Sequence, residues 1–185
     1  MTLNAVRLSL AMLAAGALGA CAAAVTDTPY LGTYNPTTLN YIADKGPLYT
    51  EIVGNPFAVS DAEVGRAVTE AMYGAHFGQP VRFTTERDPN NPSPYRVVVL
   101  FNPGRGVTAA KLCQNSQQTS EPATGNLRVM AALCAAGYRE TSLTGTIAAA
   151  TSPDDAAFRG LIRQMTAQLF PPRNPNIQNS PVFEL

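Results

Sequence analysis

The 185-residue chain carries one histidine, three cysteines, no tryptophan, and 13 basic against 13 acidic residues. Each scarcity removes a class of function. A net charge of zero lacks the basic excess of a nucleic-acid binder and the acidic excess of a solvating tail. His76 is the only imidazole, so a Ser-His-Asp or Cys-His site would have to use it, and no Gly-x-Ser-x-Gly elbow is there to present a serine. One histidine without a dense carboxylate cluster argues against a metal centre. Three cysteines without Cys-x-x-Cys spacing argue against a dithiol redox catalyst. Proline and glycine, 15 and 14 residues, stand near ordinary usage, so the chain is not a low-complexity polymer. The length fits one domain. No cofactor is expected.

What is present begins with the amino terminus. Arg7 is followed by an uncharged stretch from Leu8 to Ala20 rich in alanine and leucine, and then by Leu18-Gly19-Ala20-Cys21. A short basic region, a short apolar region and small residues are the order of a secretory signal. Leu18-Gly19-Ala20-Cys21 resembles the lipobox of bacterial lipoproteins. That resemblance implies a signal peptide over residues 1–20 and a Cys21 whose sulfur carries a diacylglycerol, with palmitate-type acyl chains burying about 0.8 kcal/mol per methylene. Membrane lipid is then the first partner. Ala22 and Ala23, rather than an acidic residue, imply export to the outer membrane, facing the periplasm. An uncleaved membrane helix and a plain secretory signal are the alternatives. Gly16 and Gly19 interrupt the run that a spanning helix would need.

Residues 21–46 read as the lipidated amino terminus and a tether. They are rich in Thr, Pro, Asn and Gly and hold no sustained period of 3.6 or 2. Tyr30, Tyr34, Leu39, Tyr41 and Ile42 are more apolar than a spacer needs, so the second half either docks on the domain's own surface or serves as a partner-binding strand.

Residues 47–170 read as the domain. Pro47–Phe57 has strand composition, closed by Asn55-Pro56. Ser60-Asp61-Ala62-Glu63 is a capping box ahead of a stripe formed by Val64, Ala67, Val68, Ala71, Met72 and Ala75, in a helix ended by Gly74 and Gly78. Val81–Thr85 and Tyr95–Phe101 read as strands, paired as a hairpin across the three-proline cluster Asp88–Pro94. The near-continuous apolar run of the second suits a central strand. Asn102–Gly125 is irregular. Leu127, Val129, Ala131 and Leu133 alternate with Arg128, Met130, Ala132 and Cys134, and Glu140–Ala148 forms a further strand. Ser152-Pro153-Asp154-Asp155 opens a helix whose Phe158, Leu161, Ile162, Met165 and Leu169 make a core stripe. Residues 171–185 are a Pro/Asn-rich tail. The order β-α-β-β-β-β-α implies an α+β fold: a mostly antiparallel sheet of four or five strands with two amphipathic helices packed on one face.

Few residues suggest chemistry. Cys113 and Cys134 in an oxidising envelope are most simply a structural disulfide. Two free buried thiols and a catalytic pair are the other readings. His76, near the end of its helix, suits a charge at the helix carboxyl terminus better than catalysis. Asn102-Pro103-Gly104-Arg105-Gly106 follows a strand as phosphate-binding turns do, but lacks both the P-loop ending and the dinucleotide glycine spacing. Asp154-Asp155 is explained by helix capping, and Arg66, Arg159 and Arg163 by solvated helix faces. Leu127-Arg128-Val129-Met130-Ala131-Ala132-Leu133-Cys134, Leu143-Thr144-Gly145 and the helix end Leu169-Phe170-Pro171 resemble short proteobacterial envelope lipoproteins of uncharacterised function. That likeness implies a small α+β domain with no assigned activity. A looser likeness, to the small lipoprotein that plugs the outer-membrane lipopolysaccharide translocon, rests on two helices packed on a sheet. The expected role is a non-enzymatic interaction or assembly module with envelope protein partners and no nucleic acid. The alternatives are a lipid- or glycan-binding module and an envelope enzyme using His76 or a thiol.

Overall fold

The computed structural model describes residues 24–115, 117–121, 125–148 and 150–177. Cys21 and the expected signal peptide over residues 1–20 lie outside them. The fold is α+β, with a mixed seven-stranded sheet and four helices. In chain order the elements are β1 (Val25–Thr26), β2 (Tyr30–Leu31), α1 (Thr38–Lys45), β3 (Leu48–Val53), α2 (Asp61–Met72), β4 (Phe83–Thr84), β5 (Tyr95–Phe101), α3 (Ala109–Gln114), β6 (Leu127–Ala135), β7 (Tyr138–Ile147) and α4 (Ala156–Leu169). The sheet runs β1-β7-β6-β5-β3-β4, with β2 also on β7. The pairs β5-β6, β6-β7, β1-β7 and β2-β7 are antiparallel, whereas β3 runs parallel to both β4 and β5.

That parallel pair corrects the expected hairpin. β4 and β5 do not pair with each other. They flank β3 on opposite sides, because α2 carries the chain from β3 over to β4 and the loop carrying Pro89, Pro92 and Pro94 brings it back. Prolines have no amide to give a ladder, so this segment turns rather than pairs. β5 occupies the centre, with Val97 to Phe101 all buried.

Capping explains where the long helices begin. Ser60 Oγ accepts from the amide of Glu63 at 3.2 Å, which satisfies one of the orphan donors of α2's first turn. In α4 the cap is Asp155, whose carboxylate accepts from the amide of Ala157 at 2.8 Å. The expected start, with Ser152 as cap and Pro153 as first helical residue, is therefore three residues early. Ser152 instead closes a turn, accepting from the amide of Asp154 through its hydroxyl and from that of Asp155 through its carbonyl.

Phe158, Leu161, Ile162, Met165 and Leu169 are all at most 3% exposed. They pack with the α2 stripe on Val97, Val99, Phe101, Leu127, Val129, Ala131 and Leu133. At Gly145 of β7 a side chain would lie 2.6 Å from a methyl of Leu161 and 2.8 Å from the sulfur of Met165, so the glycine sets how closely α4 approaches the sheet.

The two amphipathic helices, α2 and α4, share one face of the sheet as expected, and the structure adds a short third helix on the other. Ala109, Leu112 and Cys113 of α3 cover the opposite face over Val98, Leu100, Ala132 and Cys134. The second half of the tether segment packs on the domain, one of its two expected readings, and the packing begins earlier than expected. From residue 24 onward the segment is part of the domain: Tyr34, Leu39 and Ile42 are buried in the main core, and β1 and β2 line the β7 edge. Those apolar side chains are worth more buried than hydrated. The tail is anchored in its first part too. Asn174, 2% exposed, donates to the carbonyls of Gly32 and Tyr34.

Candidate functional site

A cleft of about 510 Å³ stands at one end of the sheet. It opens where β3, β4 and β5 begin, and its residues come from stretches far apart in sequence: Pro47 and Tyr49, Thr84 to Asp88, Asn91 to Arg96, and Ala136. The parallel arrangement brings them together, because three strands that run the same way start at the same end of a sheet. Ala136 and Gly137 both take positive φ, 46° and 92°, in the two-residue turn of the β6-β7 hairpin, where that backbone matches strand twist. The amide of Ala136 donates to the carbonyl of Pro94 at 3.1 Å, tying that turn to the proline loop.

The loop braces itself. Asp88 accepts from Asn90, Asn91 from Ser93, and Ser93 from Tyr95, each acceptor a side chain and each donor a backbone amide. One wall is electrostatic. Arg96 Nε lies 3.6 Å from the carboxylate of Glu51, and its Nη2 donates to the carbonyl of Cys113 at 2.6 Å. The Arg87 guanidinium stands 5.8 Å over the Tyr49 ring, within cation–π range. Burial raises the Tyr49 phenol above its ordinary pKa and Glu51 adds to the rise, while Arg87 and Arg96 pull it down. The net direction keeps Tyr49 protonated, and therefore a donor, at neutral pH. Across the opening, Tyr95 packs edge-on against Tyr41 at 6.0 Å, and Lys45 caps Tyr41 at 5.4 Å. The cleft thus offers two tyrosines, two guanidiniums, the carboxylates of Glu86 and Asp88, and an amide in Asn91. Its lining holds no histidine and no thiol.

The residues singled out in the sequence lie elsewhere. Cys113 and Cys134 form a disulfide with α-carbons 5.4 Å apart, which fastens α3 to β6. His76 is not in the last turn of α2 but four residues beyond Met72, in the loop before β4. Its Nε2 accepts from the amide of Val81 at 3.3 Å, with Nδ1 3.3 Å from the carbonyl of Phe77. Its ring packs 6.0 Å from Phe83 and 5.7 Å from Phe170. These contacts make it a loop clamp.

The Asn102–Gly106 turn is closed by protein groups. The amide of Gly104 donates to Thr119 O, that of Arg105 to the Glu121 carboxylate, and Lys111 Nζ to Gly106 O. Asp154 pairs with Arg159 at 2.6 Å, and Arg66 with Glu70 at 3.2 Å. No grouping of three or more His, Cys, Asp or Glu able to hold a metal occurs among the described residues.

Sequence reasoning missed the cleft. The available signal was the three-proline loop between β4 and β5, with Arg87 and Asp88 at its start and Tyr95 and Arg96 opening the strand that follows it.

No protein-family model matches the chain, and no curated protein matches it. Among solved structures, two PelC dodecamers from Paraburkholderia phytofirmans, one of them a methionine-substituted variant, superpose with TM-scores of 0.38 and 0.37 at 12% and 11% identity. The matches cover 81% of this chain and 97% and 96% of theirs. A superposition that shallow says nothing about function.

Proposed function

We infer that this chain is a lipid-anchored envelope protein whose domain acts as a non-enzymatic interaction module, with the β3/β4/β5 cleft as its recognition surface. The observation that carries the reading is the composition of that cleft. It is preorganised by hydrogen bonds from its loop amides to its own side chains, lined with tyrosine and arginine, which are enriched at protein contact sites, and free of a nucleophile–base pair among its lining residues. The compartment is supported by the Cys113–Cys134 bond, because structural disulfides persist in oxidising environments, and by the lipobox ahead of Cys21. A glycan is the second reading. Two tyrosine faces beside carboxylate, amide and guanidinium groups suit ring stacking and hydroxyl hydrogen bonds.

The test is site-directed photocrosslinking in intact cells from a reactive residue replacing Asn91. Discrete adducts are expected, and they should disappear when Tyr49→Ala and Arg87→Ala are combined. A folded, normally abundant protein that gives no cleft-dependent adduct overturns the interaction reading. A His76→Ala variant that stays folded and abundant yet loses the cellular phenotype would move the enzyme alternative ahead. Cys21→Ser should leave an unacylated precursor, and an unchanged mature mass would remove the anchor.

A further inference from the structure

We propose that the domain stands directly on the lipid surface by the β1 end of its sheet and holds the cleft at the far end, away from the bilayer. This rests on acylation of Cys21, as inferred above.

The first argument is chain length. A tether through residue 46 would let the domain wander ~25–30 Å from its anchor. The structured domain starts far earlier. Val25 and Thr26 pair with Thr146 and Gly145 of β7, and the amide of Asp27 donates to Thr144 O at 2.9 Å. The hydroxyl of Thr26 accepts from both Gln164 and Gln168 of α4, at 3.1 and 2.9 Å. The entry point is therefore bolted to an edge strand and a long helix. Only four α-carbon steps separate Cys21 from Val25, a taut reach of about 14 Å. The headgroup layer itself occupies roughly 5–7 Å on each side of the hydrocarbon. A compact domain on so short a link rests against headgroups.

The second argument is what surrounds the entry point. Val25 is opposite Thr146, and Thr146 is opposite Arg128. With strands ~4.8 Å apart, Arg128 follows Val25 within about 10 Å on the same face of the sheet. Val25 is 66% exposed, an apolar side chain suited to the interface. Arg128 is exposed and makes no ion pair among the described residues, so its planar fork is available to a phosphate. Asp27 shares this edge. The surface is thus not uniformly cationic, and the partner it fits is the headgroup phosphate rather than a diffuse anionic field.

The third argument is direction. β3 and β5 start at the cleft, and β6 ends at the turn beside it. β7 runs from that turn back to Ile147 at the anchor end. Tyr138, 78% exposed, lies eight residues from Thr146 along β7, or about 26 Å. Pro47, Tyr95 and Ala136 of the cleft share the Tyr138 end.

The experiment uses the full-length acylated protein in phosphatidylethanolamine–phosphatidylglycerol vesicles, with a fluorophore on Asn126→Cys or on Tyr138→Cys and a headgroup-nitroxide lipid as quencher. Quenching several-fold stronger at 126 than at 138 is expected. A long Gly-Ser insert between Ala24 and Val25 should abolish that difference while the protein still floats with vesicles. Equal or reversed quenching in protein that floats overturns the orientation and leaves the anchor standing. Protein that neither floats nor carries an acyl mass on Cys21 overturns the anchor, and the orientation with it.

Discussion

The two faces of the sheet are built differently. Under α1, α2 and α4 the described residues form one cluster of 26 buried apolar side chains, among them Phe101, Phe158 and Phe170. Under α3 the cluster has seven, and two of these are the cysteines of the disulfide. The first face can hold itself by area: each fully buried Leu, Ile or Phe contributes roughly 1.5–3 kcal/mol. The second has a six-residue helix, too short to be stable alone. It is held by a covalent bond, by the Thr108 cap accepting from Lys111, and by Ala109 and Leu112 packed on the sheet. The thin face nonetheless supports the cleft, because Cys113 O receives the Arg96 guanidinium.

The largest effect is expected on the thick face. Leu161→Ala or Ile162→Ala should cost about 2–5 kcal/mol, measured as a shift in the denaturant midpoint at unchanged slope. Gly145→Val, which presses on Leu161 and Met165 from the strand side, should cost about 1–3 kcal/mol through overpacking. Losses below 1 kcal/mol at both helix positions would mean that α4 does not carry the core.

On the thin face, replacing Cys113 and Cys134 together by Ala should cost ~3 kcal/mol on the loop-entropy model. It should do so without loosening α4. Hydrogen exchange should rise in residues 109–114 and in the Arg96 segment while the amides of 158–169 stay protected. Uniform loss of protection would mean that the two faces are one cooperative unit and the comparison is superficial.

Legibility in the sequence divides along the same line. The α4 stripe is five large apolar residues at helical spacing, and β5 and β6 each present a long apolar or alternating run, so burial and periodicity point the same way. α1 and α3 have eight and six residues with two or three buried positions each. At that length helix formation is decided by tertiary contact, and the sequence reads as loop. β1 and β2 have two residues each, below any period. The cleft was invisible for a different reason. Tyr49, Arg87 and Arg96 meet only because β3 lies parallel to both β4 and β5, and strand order is not written in local pattern. The disulfide was legible, since two thiols remained beside the lipobox cysteine and the lipobox led to the expectation of an oxidising compartment.

A smaller effect concerns the loop after α2. His76→Ala removes the acceptor of the Val81 amide and two ring contacts, so about 1–2 kcal/mol should be lost. His76→Gln, which keeps an acceptor, should recover part of it. A change with no stability cost would mean that the loop does not need its clamp, and would return His76 to the candidates for function.

The smallest effect, and the sharpest test of how tightly the thick face is filled, is at Tyr34. Its ring is fully buried and edge-on to Phe170 at 6.5 Å, yet its hydroxyl has no hydrogen-bond partner among the described residues. An unpaired buried hydroxyl is a cost of about 1–3 kcal/mol that a phenylalanine of the same shape does not carry. Tyr34→Phe should therefore be neutral or stabilising by about 1 kcal/mol near neutral pH. Burial raises the Tyr34 phenol far above the ordinary tyrosine value of about 10, so the folded state holds this proton more tightly than the unfolded chain does. The resulting stability is complete below pH ~10 and is lost as pH climbs above it. Thermal melts across the alkaline range should then show wild type falling more steeply than Tyr34→Phe, with the residual slope of the variant owed in part to Tyr49, whose phenol is also raised. Parallel curves, or a clear loss of stability on removing the hydroxyl, would mean that the Tyr34 oxygen has a partner in the folded protein.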